Sequence, residues 1–178
     1  MPQTRSSPQH AANVLGAFSL VVADRMNAGA AALAATHEFL DGGSVTQLSS
    51  VLGLSHSGTV LLVDRLAVEG LVERIRAKDG RAVSVMLTSS GRRVALRIRQ
   101  ARSKTLTSAL SALTSNEVDN LAAALDMTLI TITIVRADER SAHNHDRPQP
   151  WLCRLCDFAA CGRSEGNCPV NSAVADSN

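Results

Sequence analysis

The residues best suited to chemistry are four cysteines near the end of the 178-residue chain. Cys153, Cys156, Cys161 and Cys168 have the spacing C-x2-C-x4-C-x6-C, and the protein has no other cysteine. Two thiolates separated by two residues can bind one metal ion from a single turn, and a short glycine-containing loop can return two more. A segment this short cannot form a hydrophobic core of its own, so packing explains the cluster poorly. The spacing therefore predicts a four-cysteine metal site.

The identity of the metal stays open between two kinds of centre. Four thiolates in short loops are typical of structural zinc, which we slightly favour. Cys168 is followed by Pro169, and this pair is similar to the Cys-Pro of bacterial ferredoxin-like iron-sulfur sites, whose spacings are tighter. Disulfides are the covalent alternative, but they fit a reducing cytoplasm poorly unless they act as a switch.

The sequence lacks the features of membrane-spanning, secreted and enzymatic proteins. It has no uninterrupted apolar run of about 18 residues, the minimum for a membrane-spanning helix, and residues 1–8 lack the apolar core of a signal peptide. We therefore expect a cytoplasmic protein with no membrane partner. Nucleophile-base pairs, phosphate-binding glycine loops and paired carboxylates are also missing, so we expect no enzymatic activity.

A second group of chemically distinctive residues is basic and surrounds an Asp-Gly pair. Asp-Gly is a strong signal for a tight turn between two strands, and the flanking segments 71–77 and 82–87 are rich in β-branched residues. The formal net charge of +2 is too small to argue for nucleic acid, but its distribution favours it. The basic residues of this hairpin are Arg74, Arg76, Lys78 and Arg81. A second basic group, Arg92 to Lys104, is equally compatible with a solvated helix face.

Two short helices precede the hairpin and complete a DNA-binding unit. Residues 44–53 carry apolar residues at helical spacing between a capping residue, Ser44 or Thr46, and Gly53, and a second helix follows Ser55 up to about Leu71. Helices joined by so short a turn form a helix-turn-helix, whose second helix can enter a DNA major groove. With the hairpin they predict a winged helix. The candidate contacts on the second helix are Ser55, His56, Ser57 and Thr59 in its first turn and Arg65 farther along.

The same region resembles the multiple-antibiotic-resistance regulator (MarR) family of bacterial winged-helix repressors. The resemblance rests on Leu66-Ala-Val-Glu-Gly-Leu-Val-Glu-Arg74, on Asp79-Gly-Arg81 and on Leu87-Thr88, and it covers roughly residues 13–137. It implies an obligate dimer that binds palindromic DNA, with repression usually relieved by a small-molecule effector or an oxidant. In this comparison Arg81 would enter the minor groove and Asp79 would orient the wing. The four-cysteine tail is not part of the family pattern.

These patterns divide the chain into a central domain and several additions. The predicted fold is mainly α-helical with a small β-hairpin wing, and the N- and C-terminal helices would form the dimer. Within it we predict helices at 11–27, 30–40, 89–113 and from Thr114 to about residue 137, with an interruption at Gly29. The predicted segments are a disordered 1–10, a winged-helix domain 11–137 with its DNA-binding core at 44–88, a linker 138–150, a cysteine-rich tail 151–170 and a disordered 171–178.

The favoured function is a sequence-specific transcriptional regulator that binds operator DNA as a homodimer. The four-cysteine site, holding zinc or an iron-sulfur cluster, would control it. The alternative function is a metal-dependent redox or protein-interaction module that uses the winged helix as a scaffold. DNA binding that weakens with salt would distinguish the first function, because phosphate contacts release counterions.

Overall fold

The fold was examined in a computed structural model, which describes residues 7–23, 27–76, 83–142 and 152–175. Its helices are α1 (Pro8–Ala23), α2 (Ala28–Ala35), α3 (Val45–Leu52), α4 (His56–Val68), α5 (Ser89–Leu110), α6 (Ser115–Ala142) and α7 (Pro169–Ala175). Its strands are β1 (Gly43–Ser44), β2 (Val72–Arg76) and β3 (Val83–Leu87). The predicted mainly α-helical fold with a small hairpin is confirmed.

The hairpin strands pair as predicted, and a third strand joins them. β2 and β3 are antiparallel with Val72 opposite Leu87, and β1 pairs with the other side of β3. Val85 and Leu87 are buried, whereas Val83 at the outer end is exposed. The sequence did not predict β1, because two residues are too few for an alternating pattern. The hairpin tip, with Lys78, Asp79 and Arg81, lies outside the described residues.

Local capping signals fix both helices of the helix-turn-helix. The Ser44 hydroxyl accepts a hydrogen bond from the Gln47 N–H (3.1 Å), while the Gln47 side chain accepts one from the Ser44 N–H (2.8 Å). Gly53 ends α3 with a φ of 67°, in the left-handed region that glycine adopts at little cost. Ser55 then caps α4 by accepting the Gly58 N–H. The sequence predicted the Gly53 end and the Ser55 cap, and the structure selects Ser44 over the alternative Thr46 as the cap of α3.

One hydrophobic core holds the recognition helix α4 in place. Side chains from α2, α3, α4, the sheet and α5 form a single buried cluster, and burying each large aliphatic side chain contributes about 1.5–3 kcal/mol. Its main members are Leu33, Leu48, Leu62, Val63, Leu66, Val72, Val85, Leu87 and Ala95.

The junction between the sheet and α5 is closely packed around Thr88. The Thr88 hydroxyl caps α5 by accepting the Gly91 N–H (3.0 Å) and donates to the Gly70 carbonyl (2.7 Å). Gly91 lies directly against the Leu71 carbonyl, so that an added Cβ would stand 1.9 Å from that oxygen. The Leu-Thr pair of the sequence resemblance therefore marks a structural anchor.

Several predicted boundaries differ from those observed near the first helices and the C-terminus. Gly29 does not interrupt a helix but is buried inside α2, which Asn27 caps through a hydrogen bond from Ala30. The last turn of the predicted second helix, Thr36–Leu40, is π-helical. α6 continues through Ala142 into the predicted linker, and α7 runs to Ala175 in the tail end expected to be disordered.

The threonine-rich end of α6 is helical, as predicted, although its alternation also suits a strand. Each of three threonine hydroxyls donates to the carbonyl four residues earlier, so the β-branched side chains satisfy their polar groups within the helix. These bonds are Thr128 to Ala124 (2.8 Å), Thr131 to Met127 (3.0 Å) and Thr133 to Leu129 (2.6 Å).

Candidate nucleic-acid interface and cysteine site

The first turn of α4 presents short polar side chains to solvent. Ser55, His56 and Ser57 are exposed, and the two serine hydroxyls lie 3.3 Å apart. The N-terminus of a helix carries a partial positive charge and free N–H groups, which attract phosphate oxygens. This turn can therefore approach a nucleic-acid backbone closely.

Thr59, a predicted DNA contact, is fully buried at 0% exposure. Its hydroxyl donates to the Ser55 carbonyl at 3.0 Å, so it has a structural role inside the turn. The prediction for Thr59 was wrong, because the residue shares the inward face of α4 with Leu62 and Leu66. Its spacing of three and seven residues from them was the signal that would have shown this.

The outward face of α4 carries Arg65, a predicted DNA contact, and two apolar residues that the sequence analysis did not single out. Leu61 and Val68 are exposed at 71% and 90%, and Arg65 is exposed between them. These three residues recur at a spacing of three to four and therefore share one face. Apolar side chains in a major groove can contact thymine methyl groups, while an arginine can reach guanine or phosphate. The face thus combines apolar and cationic contacts.

Arg74, another predicted DNA contact, is bound to the recognition helix. Its guanidinium lies 2.7 Å from the Asp64 carboxylate and donates to the Val60 carbonyl at 3.4 Å. The side chain therefore braces β2 against α4. Arg76 is the last residue of β2, opposite Val83, and leads towards the hairpin tip.

The second basic group, on α5, is only partly solvated. Arg92 pairs with Asp41, and Arg99 donates to the Glu38 carboxylate at 3.1 Å. Arg93 and Arg97 are exposed. This group was compatible with a DNA-binding surface or with a solvated helix face. The solvated face describes Arg93 and Arg97, whereas Arg92 and Arg99 connect α5 to residues 36–41 after α2.

The four cysteines are free thiols that lie as two neighbouring pairs. The Cys153 thiol hydrogen-bonds Cys156, which together with burial raises the pKa of Cys153 well above its usual range. The same bond, assisted by the charges of Arg102 and Arg163, lowers the pKa of Cys156 to about 7. Burial and the neighbouring charge of Cys168 raise the pKa of Cys161. Cys156 is therefore the sulfur that most readily becomes a thiolate.

The four cysteines of residues 152–175, the cysteine segment, do not form a closed coordination shell around one metal position. In the part of the chain that the structure describes, no three Cys, His, Asp or Glu side chains form a group placed to hold a metal ion. The thiols nevertheless influence one another: the charge of Cys168 raises the pKa of both Cys153 and Cys161, and the charge of Cys156 also raises the pKa of Cys161. Arg163 adds a cation by donating to the Cys153 sulfur at 3.4 Å. The zinc or iron-sulfur centre remains a prediction.

The cysteine segment packs against the winged-helix core. The rings of Phe39 and Phe158 stack with centroids 5.5 Å apart, and the Glu38 carboxylate accepts the Phe158 N–H at 2.9 Å. Arg99 of α5 lies 3.7 Å from Asp157. Cys153 and Cys168 are buried at 2% and 3% exposure in a small cluster with these phenylalanines. The segment thus forms a second small apolar cluster that includes Phe39, a form of packing that the sequence analysis had set aside.

The cysteine segment also reaches the last long helix. α7 packs along α6, and Thr133 on α6 is fully buried. The segment therefore lies in contact with α6 on one side and with α5 and the turn after α2 on the other. Sequence reasoning missed Glu38, Phe39 and Arg99 as its partners, and the scarcity of aromatic residues was the one available signal, since Phe39 and Phe158 are two of only three phenylalanines.

Comparison with known proteins identifies the fold. No protein-family model and no curated protein match the sequence. Among solved structures, a variant of MepR from Staphylococcus aureus matches with a TM-score of 0.63 at 16% identity, covering 71% of this chain and 98% of that one. YusO from Bacillus subtilis matches with a TM-score of 0.56 at 19% identity, covering 67% and 94%.

A third structure is described as a MarR family protein. This protein from Bacillus stearothermophilus matches with a TM-score of 0.54 at 25% identity, covering 66% of this chain and 84% of that one. The resemblance that was read from Leu66–Arg74 and Leu87–Thr88 is therefore confirmed: the chain has the winged-helix fold of MarR-type transcription regulators.

Proposed function

We propose that this chain is a DNA-binding transcriptional regulator that acts as a homodimer on palindromic operators. The observation that carries the proposal is α4, which exposes a polar first turn and the outward face of Leu61, Arg65 and Val68 while its other face is locked in the core. Structures of this fold support the proposal, since MepR is described as the transcription regulator of the multidrug efflux pump MepA.

The test begins with a duplex selected by the full-length protein from a random DNA pool. We expect selection of an inverted repeat, and the logarithm of its affinity should fall with the logarithm of salt by about 0.9 for each phosphate contacted. Arg65→Ala should weaken binding, whereas Lys104→Ala on α5 serves as a charge-matched control. Failure to enrich any sequence, or an affinity that ignores salt, would contradict DNA binding and favour the protein-interaction alternative.

Dimerisation is supported by the exposure of α6. An 18-residue window within Ser115–Arg136 has a mean hydropathy of 1.6, but only 6% of that window is buried. Leu125, Leu129 and Ile132 recur at helical spacing on this exposed surface, and α1 also exposes Val14, Leu15 and Phe18. A continuous exposed apolar surface marks an interaction site. In a two-fold symmetric dimer, the same surface of a second copy of the chain would cover it.

A small-molecule effector is the second partner that we propose. An open cavity of about 330 Å³ lies between α1, α2, α3 and the cysteine segment, lined in part by Ser19, Asn27, Leu52 and Leu155. Its volume is in the range of small-ligand sites, which are about 300–1,000 Å³. CouR from Rhodococcus jostii, which matches with a TM-score of 0.51 at 20% identity, was solved with p-coumaroyl-CoA.

We also propose that Cys153, Cys156, Cys161 and Cys168 bind zinc or an iron-sulfur cluster and thereby control the regulator. The support is their clustering, their free thiols and the adjacent arginines. Metal and acid-labile sulfide analysis, with a visible spectrum, on protein purified without oxygen distinguishes the two. Iron with sulfide and a brown colour indicates a cluster, and stoichiometric zinc in a colourless protein indicates a structural ion. Oxidised cysteines without metal would support the disulfide switch instead.

A further inference from the structure

Arg102 on α5 has a buried polar atom that lacks a counterpart. Its Nε is inaccessible to solvent and has no hydrogen-bond partner within the described ranges of the chain. Burying an unpaired donor on a charged group costs free energy, so such an atom calls for an explanation. The Arg102 and Cys156 side chains line one small cavity together with His37 and Glu38.

A metal ion bound by the four cysteines would leave a net negative charge at the site, and this charge would give the Arg102 guanidinium a partner. Four thiolates around a zinc ion, or around a cluster of equal positive charge, keep an excess of negative charge. A buried anion of this kind needs nearby cations and N–H donors. Two arginines can supply this charge: Arg102 lines one cavity with Cys156, and Arg163 donates to the Cys153 sulfur.

The same helix carries the connection into the DNA-binding unit. Arg99, one turn before Arg102, pairs with Glu38, whose carboxylate also holds the Phe158 N–H of the cysteine segment. Ala95, one turn earlier, is part of the core cluster that contains Leu62 and Leu66 of α4. A continuous set of contacts therefore links the cysteines to the recognition helix.

We propose that metal occupancy of the four-cysteine site is transmitted to α4 through α5, with Arg102 as the positioning residue and Glu38 as the second contact. The inference rests on the proposed function, because it assigns a route to the control exerted by that site. With the metal bound, the anionic centre holds Arg102 and the cysteine segment stays docked. Without the metal, Arg102 has no anionic partner and α5 becomes more mobile. DNA binding must then restrict the motion of α5 and of α4 in both subunits, which lowers the affinity.

The test compares full-length protein before and after chelation in the absence of oxygen. In wild type we expect removal of the metal to weaken binding to the selected duplex by at least about fivefold, the lower range of coupling between sites. Hydrogen exchange of the amides in 36–40 and in α5 should accelerate at the same time. Cys156→Ser, which removes a ligand, should behave like chelated wild type without chelator.

Two variants isolate the route. Arg102→Gln should retain its metal, but chelation should no longer change its affinity for DNA, so that the ratio of the affinities before and after chelation falls towards unity. Glu38→Gln, the second variant, should do the same. Arg97→Gln replaces an exposed arginine of the same helix and should keep the wild-type ratio. If chelation weakens DNA binding by Arg102→Gln and Glu38→Gln as much as it weakens binding by the wild type, the proposed route through α5 is wrong.

The outcomes also separate this inference from the proposed function. If no duplex is bound in any state, the proposed function fails, but the hydrogen exchange of 36–40 and α5 still reports whether they respond to metal. Unchanged exchange after chelation overturns the inference even if DNA binding is intact. A protein that takes up neither zinc nor iron with sulfide also overturns it.

Discussion

Gly91 is the residue whose replacement should most directly disrupt the fold. A Cβ at this position would lie 1.9 Å from the Leu71 carbonyl oxygen, a backbone atom that cannot rotate away. We expect Gly91→Ala to lower the free energy of unfolding by at least about 2 kcal/mol, since α5 would have to shift from the sheet. Urea unfolding at fixed protein concentration measures it. Gly16→Ala in α1, where nothing lies within 4 Å, is the control and should be neutral or slightly stabilising.

Arg81 carries the most specific DNA prediction at the residue scale. By the resemblance of its Asp79-Gly-Arg81 turn, its side chain would enter a minor groove, where A·T-rich sequence attracts arginine. We expect Arg81→Ala to weaken binding to the selected duplex by roughly tenfold, because one groove arginine contributes about 1–3 kcal/mol. Fluorescence anisotropy measures the change. Arg97→Ala should have a smaller effect, and equal losses in the two variants would count against the wing assignment.

At the scale of single elements, the start of α6 depends on pH through one carboxylate. Glu117 accepts hydrogen bonds from the Thr114 N–H (2.8 Å) and hydroxyl (2.7 Å), and these bonds lower its pKa below the ordinary value. The folded pKa is depressed, so the stabilisation is fully present above the ordinary glutamate pKa and is lost as pH falls through the folded pKa. Carboxyl NMR titration should show the shift, and Thr114→Ala, which removes the hydroxyl but keeps the backbone N–H, should reverse part of it. An ordinary Glu117 pKa in the wild-type protein would refute the capping role.

Elements with local causes were predictable from the sequence, and elements with distant causes were not. Ser44, Gly53 and Ser55 act through neighbours within four residues, so the helix-turn-helix could be placed from the pattern alone. The burial of Gly29 and the pairing of β1 with β3 depend on partners far along the chain. Docking of the cysteine segment has the same origin, since Glu38 meets Phe158 across 120 residues.

At the scale of the whole molecule, α6 and α1 leave an apolar surface open to solvent. Side chains such as Leu129, Ile132 and Phe18 remain open to solvent, although α6 is apolar enough in length and composition to cross a membrane. The sequence analysis expected such a stripe to serve a dimer, but it could not tell which residues the chain itself covers. The structure shows that α7 packs along α6 and that Thr133 on α6 is buried.

A single charge on the open surface should therefore decide the oligomeric state. We expect the wild-type protein to sediment at about twice its chain mass of 18.8 kDa. Ile132→Glu should shift it towards the monomer, because a buried unpaired carboxylate costs several kcal/mol at an apolar interface. Thr107→Glu, at an exposed position on α5, is the control for added charge and should stay dimeric. Sedimentation equilibrium without detergent measures both. A monomeric wild type that floats with phospholipid vesicles would instead make α6 a membrane-binding helix, and it would remove the two-fold symmetry on which palindrome recognition depends.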